Sequence, residues 1–145
     1  MTSTILQDFR QVRSLIELWG DIVTEIQHQQ LVFKWSQQPD IRKKYPELKL
    51  MYHIPNERHC TPAQGKQLKL AGVRSGVPDL ELPVSRNGYT GLHIEMKAPK
   101  GTVSDAQKWW LRELQEQGRM CAVCYGYEQA IEVLEGYLDG RFKRS

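Results

Sequence analysis

At 145 residues the chain has the length of one domain, and folding at that size hides roughly 68–70% of the extended surface, so its core needs no disulfide or metal staple. A hydrophobic share of 40% beside 26% charged residues excludes intrinsic disorder, and the absence of any run of roughly 18 apolar residues excludes a membrane-spanning helix. The net charge of +3 permits a polyanionic partner without requiring one.

Clustering of the bases says more than their sum. They gather as Arg42-Lys43-Lys44, as Lys66, Lys69 and Arg74, and as Arg141, Lys143 and Arg144, although each group alone reads as solvated surface. The start, Met1-Thr2-Ser3-Thr4-Ile5, lacks the basic and apolar blocks of a secretory signal, and Asp8 and Arg10 interrupt any candidate. Three cysteines, Cys60, Cys121 and Cys124, are too few for a disulfide framework. A cytoplasmic protein in contact with no membrane is the expectation.

In chain order, Ile5, Phe9, Val12, Ile16 and Trp19 fall at three- and four-residue steps and predict an amphipathic helix over 5–19. Thr24-Glu25-Ile26-Gln27 is a capping box, in which Thr24 and Gln27 satisfy free amides, so a second helix runs from Glu25 towards Gln38 before Pro39. Residues 48–54 have strand content, closed by Pro55-Asn56. Thr61-Pro62 starts a short helix that reaches Ala71 and stops at Gly72.

Pro78 to Val84 and Gly91 to Lys97 are strand candidates around Asn87-Gly88, a hairpin signal. Ser104-Asp105-Ala106-Gln107 is another capping box, whose helix ends at Gly118. A strand over 119–125 and a helix from Glu128 to Leu138 follow. This order predicts an α/β domain, a central mixed β-sheet flanked by helices, spanning 1–145 as one unit with the 5–19 helix as an extra N-terminal element.

The chemistry lies between Gly72 and Lys97. Pro78-Asp79 on one strand is followed sixteen residues later by Glu95-Met96-Lys97 on the next. Magnesium prefers oxygen ligands and keeps several waters, so carboxylates converging from adjacent strands suit it, and Lys97 projects from the same strand face as Glu95. Asp79 and Glu95 are thus the predicted metal ligands, helped by the Met96 carbonyl. The metal polarises the phosphate, while Lys97 orients or helps deprotonate the attacking water and offsets transition-state charge.

One local conflict arises. A strict two-residue hairpin at Asn87-Gly88 faces Asp79 with Met96 and puts Asp79 on the opposite side of the sheet from Glu95. The reading therefore requires a longer loop or a β-bulge between Leu82 and Leu92 that shifts the pairing by one residue.

The chain resembles the PD-(D/E)XK nucleases and, within them, the VRR-NUC family of virus-type replication-repair nucleases. The resemblance covers residues 24–128. It rests on Thr24-Glu25 opening a helix, Pro55-Asn56 after a strand, Gly72-Val73-x-x-Gly76-x-Pro78-Asp79-Leu80, Glu95-Met96-Lys97, and Ser104 with Gln107. It implies a restriction-endonuclease-like core and Mg²⁺-dependent hydrolysis of DNA phosphodiester bonds, with Mn²⁺ able to substitute, leaving 5′-phosphate and 3′-hydroxyl ends. Small stand-alone members look like homodimers acting on branched DNA such as four-way junctions. Origin in a phage or bacterium agrees with that likeness.

The resemblance also adds Glu25 to the metal site from its helix and places Gln107 beside it. Simple alternatives stand for both: Glu25 as an acid complementing the helix dipole, and Gln107 as the capping partner of Ser104. His93 shares strand parity with Glu95 and Lys97 and is a candidate substrate contact or a hydrogen-bonded sheet histidine. Arg74, Lys100, Lys108, Arg112 and Arg119 are candidates to line a nucleic-acid path. Of the neighbouring Trp109 and Trp110, one is expected in the core and the other near a rim.

His53, His59 and Cys60, with the Cys121-x-x-Cys124 pair, form a weak zinc pattern. The pair points to opposite strand faces, so core packing explains it better. Two other functions compete with the nuclease: a DNA-binding module that has lost catalysis, which the presence of Asp79, Glu95 and Lys97 disfavours, and a hydrolase using paired carboxylates as acid and base, which leaves Lys97 unexplained. Linear or flap DNA are alternative substrates.

Overall fold

The computed structural model describes residues 24–55 and 60–145, so the stripe over 5–19 and His59 lie outside the described residues. Its elements are α1 (Glu25–Ser36), α2 (Pro39–Lys44), a 3₁₀ turn (Pro46–Leu50), β1 (Tyr52–His53), α3 (Pro62–Leu70), β2 (Leu80–Leu82), β3 (Leu92–Lys97), α4 (Asp105–Glu116), β4 (Met120–Tyr125) and α5 (Tyr127–Leu138). The four strands form one sheet in the order β1-β2-β3-β4. β1 with β2 and β2 with β3 are antiparallel, and β3 with β4 is parallel. This is the expected mixed sheet flanked by helices.

Two expectations need correction. Pro39 does not only end a helix: it occupies the first turn of α2, where a missing N–H costs nothing. The strand expected over 48–54 shrinks to Tyr52–His53, because Pro46 opens a 3₁₀ turn that consumes the preceding residues.

All six residues of β3 are buried, as befits a strand covered on both faces. On one face Leu80, Leu82, Leu92, Ile94 and Met96 meet Val32 and Trp35 of α1 and Ala130, Leu134 and Tyr137 of α5. Each large apolar side chain so buried contributes roughly 1.5–3 kcal/mol. The other face carries Glu81, His93, Glu95 and Lys97, and α4 lies over it, because its Gln107 reaches Glu95. Polar residues on a buried face demand partners, and those partners build the site.

Candidate active site

The predicted register shift is present. Asn87 and Gly88, with φ of 46° and 91°, make the tight turn between Arg86 and Tyr89, which exchange backbone hydrogen bonds of 3.1 and 2.9 Å. Beyond the turn, Leu82 pairs with Leu92 and Leu80 with Ile94. Three residues, Pro83 to Ser85, therefore separate Leu82 from Arg86, whereas only Thr90 and Gly91 separate Tyr89 from Leu92. The extra residue moves the register by one, and its continuation puts Asp79 opposite Glu95 instead of Met96.

Asp79 is buried just ahead of β2, and its Oδ2 accepts a hydrogen bond from the Met96 amide at 2.8 Å. Its carbonyl is held by the amide of Ile54, just past β1, at 2.7 Å and approached by His53 Nδ1 at 2.8 Å. Glu95 is 1% exposed, and its Oε1 accepts from Gln107 Nε2 at 2.8 Å. Lys97, 4% exposed, places Nζ 3.8 Å from Glu95 Oε1 and 4.0 Å from Glu25 Oε1.

Two helix caps aim side chains at this point. Thr24 and Gln27 satisfy each other's amides at 2.8 and 3.2 Å, which fixes the start of α1 and with it Glu25. On α4, Ser104 N donates to Gln107 Oε1 at 2.9 Å while Gln107 N donates to Ser104 Oγ at 3.2 Å. The Gln107 amide thus serves two ends: its oxygen caps the helix and its nitrogen holds Glu95.

A second polar row runs beside the first. Glu81 accepts from Arg119 Nη1 at 2.6 Å and from the Tyr52 hydroxyl. Burial pushes the Glu81 carboxyl up, but these hydrogen bonds and the nearby His93 outweigh it and leave it below the usual range. Burial lowers His93, against the pull of Glu81. His93 is 4% exposed and its Nδ1 has no hydrogen-bond partner, so it lies within the sheet face and offers little surface to a polymer. Arg119 is tied to Glu81 and is not free to line a path. Neither the Tyr52–Glu81–Arg119 contact nor the His53 approach to Asp79 was foreseen from sequence, because both join residues far apart in the chain.

Of the other predicted contacts, Arg74, Lys100 and Lys108 are exposed. Trp109 is exposed, and Trp110 is half-buried and donates its indole N–H to the Ser75 carbonyl at 3.0 Å. Cys121 pairs with His93 and Cys124 with Met96, so the two thiols face opposite sides of the sheet, as expected. Burial pushes Cys121 up to about 11 and Cys124 up to about 12, leaving both as protonated thiols.

Among the described residues, no three His, Cys, Asp or Glu side chains gather closely enough to cage a metal by themselves. A cation that keeps part of its water shell needs fewer protein ligands. The donor set fits such an ion. Glu95 and Glu25 share a single ammonium, Lys97, and Asp79 adds a further buried carboxylate across the β2–β3 register, so the negative charge exceeds the positive and suits a divalent cation.

The VRR-NUC domain model matches residues 34–128, a span that contains Asp79, Glu95, Lys97 and Gln107 but not Glu25. A solved structure described as a VRR_NUC domain protein has a TM-score of 0.67 and 29% identity, over 81% of this chain and 89% of that one. Nothing among functionally curated proteins matches the chain. Among the described residues no helix is long and apolar enough to cross a membrane. With two thirds of its length matched by one domain model and the fold shared besides, the chain belongs to the VRR-NUC domain family, a family of nucleases.

Proposed function

We propose that the protein is a metal-dependent endodeoxyribonuclease that hydrolyses phosphodiester bonds of structured or branched DNA, such as four-way junctions, leaving 5′-phosphate and 3′-hydroxyl ends. The observation that carries this reading is the meeting of Asp79, Glu95 and Lys97 on one buried sheet face, with Lys97 Nζ 3.8 Å from Glu95. Asp79 and Glu95 would hold the ion, with Glu25 and the Met96 carbonyl as further donors. Magnesium, or manganese in its place, supplies Lewis-acid polarisation of the phosphate and offsets its charge.

The remaining roles belong to the chain. Lys97 is pinned between two carboxylates, so its ammonium is already oriented when substrate arrives; there it positions the attacking water and opposes the charge that grows on the phosphoryl oxygens. The water oxygen bonds to phosphorus as the P–O3′ bond breaks; the water gives up a proton to solvent, and the leaving 3′ oxygen takes one up. Gln107 acts through Glu95 as a positioning residue, fixing the carboxylate by a hydrogen bond anchored in a helix cap. The exposed bases Arg74, Lys100 and Lys108 suit the phosphate backbone. A two-fold homodimer would present two such sites to paired strands and cut a branched substrate symmetrically.

The test is a panel of end-labelled linear, flap and four-way-junction DNA incubated with pure protein. Cleavage in Mg²⁺ or Mn²⁺, its loss in EDTA, and fastest turnover of the junction are expected. Equal activity in EDTA contradicts the metal site; preference for linear or flap DNA contradicts the branched substrate and leaves the nuclease.

A further inference from the structure

One stripe of α1 leads away from the proposed centre. Glu25, Gln29, Phe33 and Gln37 recur every four residues and so share one side of the helix, with Glu25 at its head reaching Lys97. Gln29 lies one helical turn, about 6 Å, beyond Glu25. Along this stripe Gln29, Gln30, Phe33, Lys34 and Gln37 line an open groove of about 570 Å³ together with His53 of the edge strand β1.

The groove is joined to the centre on both sides. On α1 the link is Glu25. On β1 it is His53, whose Nδ1 lies 2.8 Å from the Asp79 carbonyl; a carbonyl only accepts, so the nitrogen donates and the ring is fixed against the residue that would hold the ion. Register places the same ring on the α1 side of the sheet, since His53 pairs with Leu80. Whatever fills the groove is therefore held beside the bond being cut.

The lining indicates what fills it. It carries one ammonium, Lys34, the amides of three glutamines and the rings of Phe33 and His53, and it has no aspartate or glutamate. Lys34, Gln30, Gln37 and His53 are exposed, while Gln29 and Phe33 are half-buried. A single cation suits one phosphate, whereas a duplex backbone calls for several. Each amide offers a donor and an acceptor, as the edge of a base requires, and aromatic rings stack on base faces without regard to sequence. A volume of this order takes a ligand of nucleotide size and excludes a double helix.

We infer that the groove between α1 and β1 is a subsite for one unpaired nucleotide of the DNA strand being cut, next to the scissile bond. Its base lies against Phe33 and His53, Gln29 and Gln30 bond the base edge, and Lys34 meets its phosphate. The inference rests on the nuclease reading above and narrows its substrate class to DNA whose strand is unpaired beside the cut, as at a flap or a branch point.

The experiment compares the full chain with a Gln29→Ala, Gln30→Ala double variant and with Phe33→Leu, on flap DNA whose cleavage position has been mapped and on a fully paired duplex. Alanine keeps α1 helical and alters no charge, and leucine keeps an apolar side chain where Phe33 packs against the core. For either variant KM on the flap should rise about ten-fold with kcat unchanged, while affinity for the paired duplex stays the same. An abasic sugar at the unpaired position next to the cut should impose the same rise on the unsubstituted protein and add nothing in the variants, because both changes remove one interaction.

Unchanged KM on the flap in both variants would overturn the inference, as would an equal loss of affinity for the paired duplex or an abasic sugar without effect. Weakened self-association by sedimentation with unchanged flap KM would assign the groove to a second copy of the chain and overturn it too. A lower melting temperature of the glutamine variant with unchanged flap KM would assign it to another segment of this chain, with the same consequence. If the unsubstituted protein neither binds nor cuts any DNA, the nuclease reading fails and takes the subsite with it; cleavage with unchanged KM in the variants removes the subsite alone.

Discussion

At the scale of single residues, burial sets what each group can do. His28 shows this away from the proposed chemistry. Its Nδ1 accepts the Tyr127 amide at 3.1 Å, which requires the neutral ring, and it stacks on Tyr127 where α1 meets α5. Burial lowers its pKa, against a weaker opposing pull from Glu128. A histidine depressed in the folded state lends stability that is fully present above its unfolded pKa of roughly 6.5 and is lost as pH falls below it. The melting temperature should therefore drop between pH 7.5 and 5.5, by at most about 5 °C from this residue. His28→Asn, which keeps an acceptor for Tyr127 and cannot titrate, should flatten that dependence; an unchanged drop would assign it elsewhere. Gln107 makes the complementary point, since sequence offered it either a cap or a place at the site, and the two ends of its amide cap α4 and hold Glu95.

At the scale of elements, the β2–β3 hairpin decides whether a site exists. The turn at Asn87-Gly88 is legible in two letters, and the conflict it creates for Asp79 is legible as parity. Where the extra residue goes is not legible, because Pro83, Val84 and Ser85 each tolerate an irregular path and the choice depends on packing. Deleting Ser85 should return the pairing to the strict register, turn Asp79 towards the apolar face and abolish cleavage. A deletion variant that folds and cuts at the normal rate would show that the offset does not place the site. Capping boxes were equally readable, and they are the elements that deliver Glu25 and Gln107. The exposure of α3 was not, since a capped helix of nine residues gives no sign in its own sequence of how little of it will be buried.

At the scale of the whole molecule, one sheet separates two kinds of interior. The face towards α1 and α5 is closed by leucine, isoleucine and methionine; the face beneath α4 buries carboxylates, an ammonium and an imidazole. The alternation of period two in Leu92 to Lys97 forecast both faces, and both proved buried because β3 lies between β2 and β4. Lys97 is buried between Glu95 and Glu25, so alanine there would remove buried volume together with the charge. Methionine keeps the volume of the stem and removes only the charge, which makes it the sharper probe.

The most direct measurement is therefore single-turnover hydrolysis of labelled DNA in Mg²⁺ by Lys97→Met beside the unsubstituted protein, at equal DNA occupancy and with folding verified by circular dichroism. A fall of about 10²–10³-fold in the rate, with DNA affinity retained, is predicted. Cleavage at the original rate by the folded variant would contradict the assignment of Lys97, and with it the catalytic centre built from Asp79, Glu95 and Lys97.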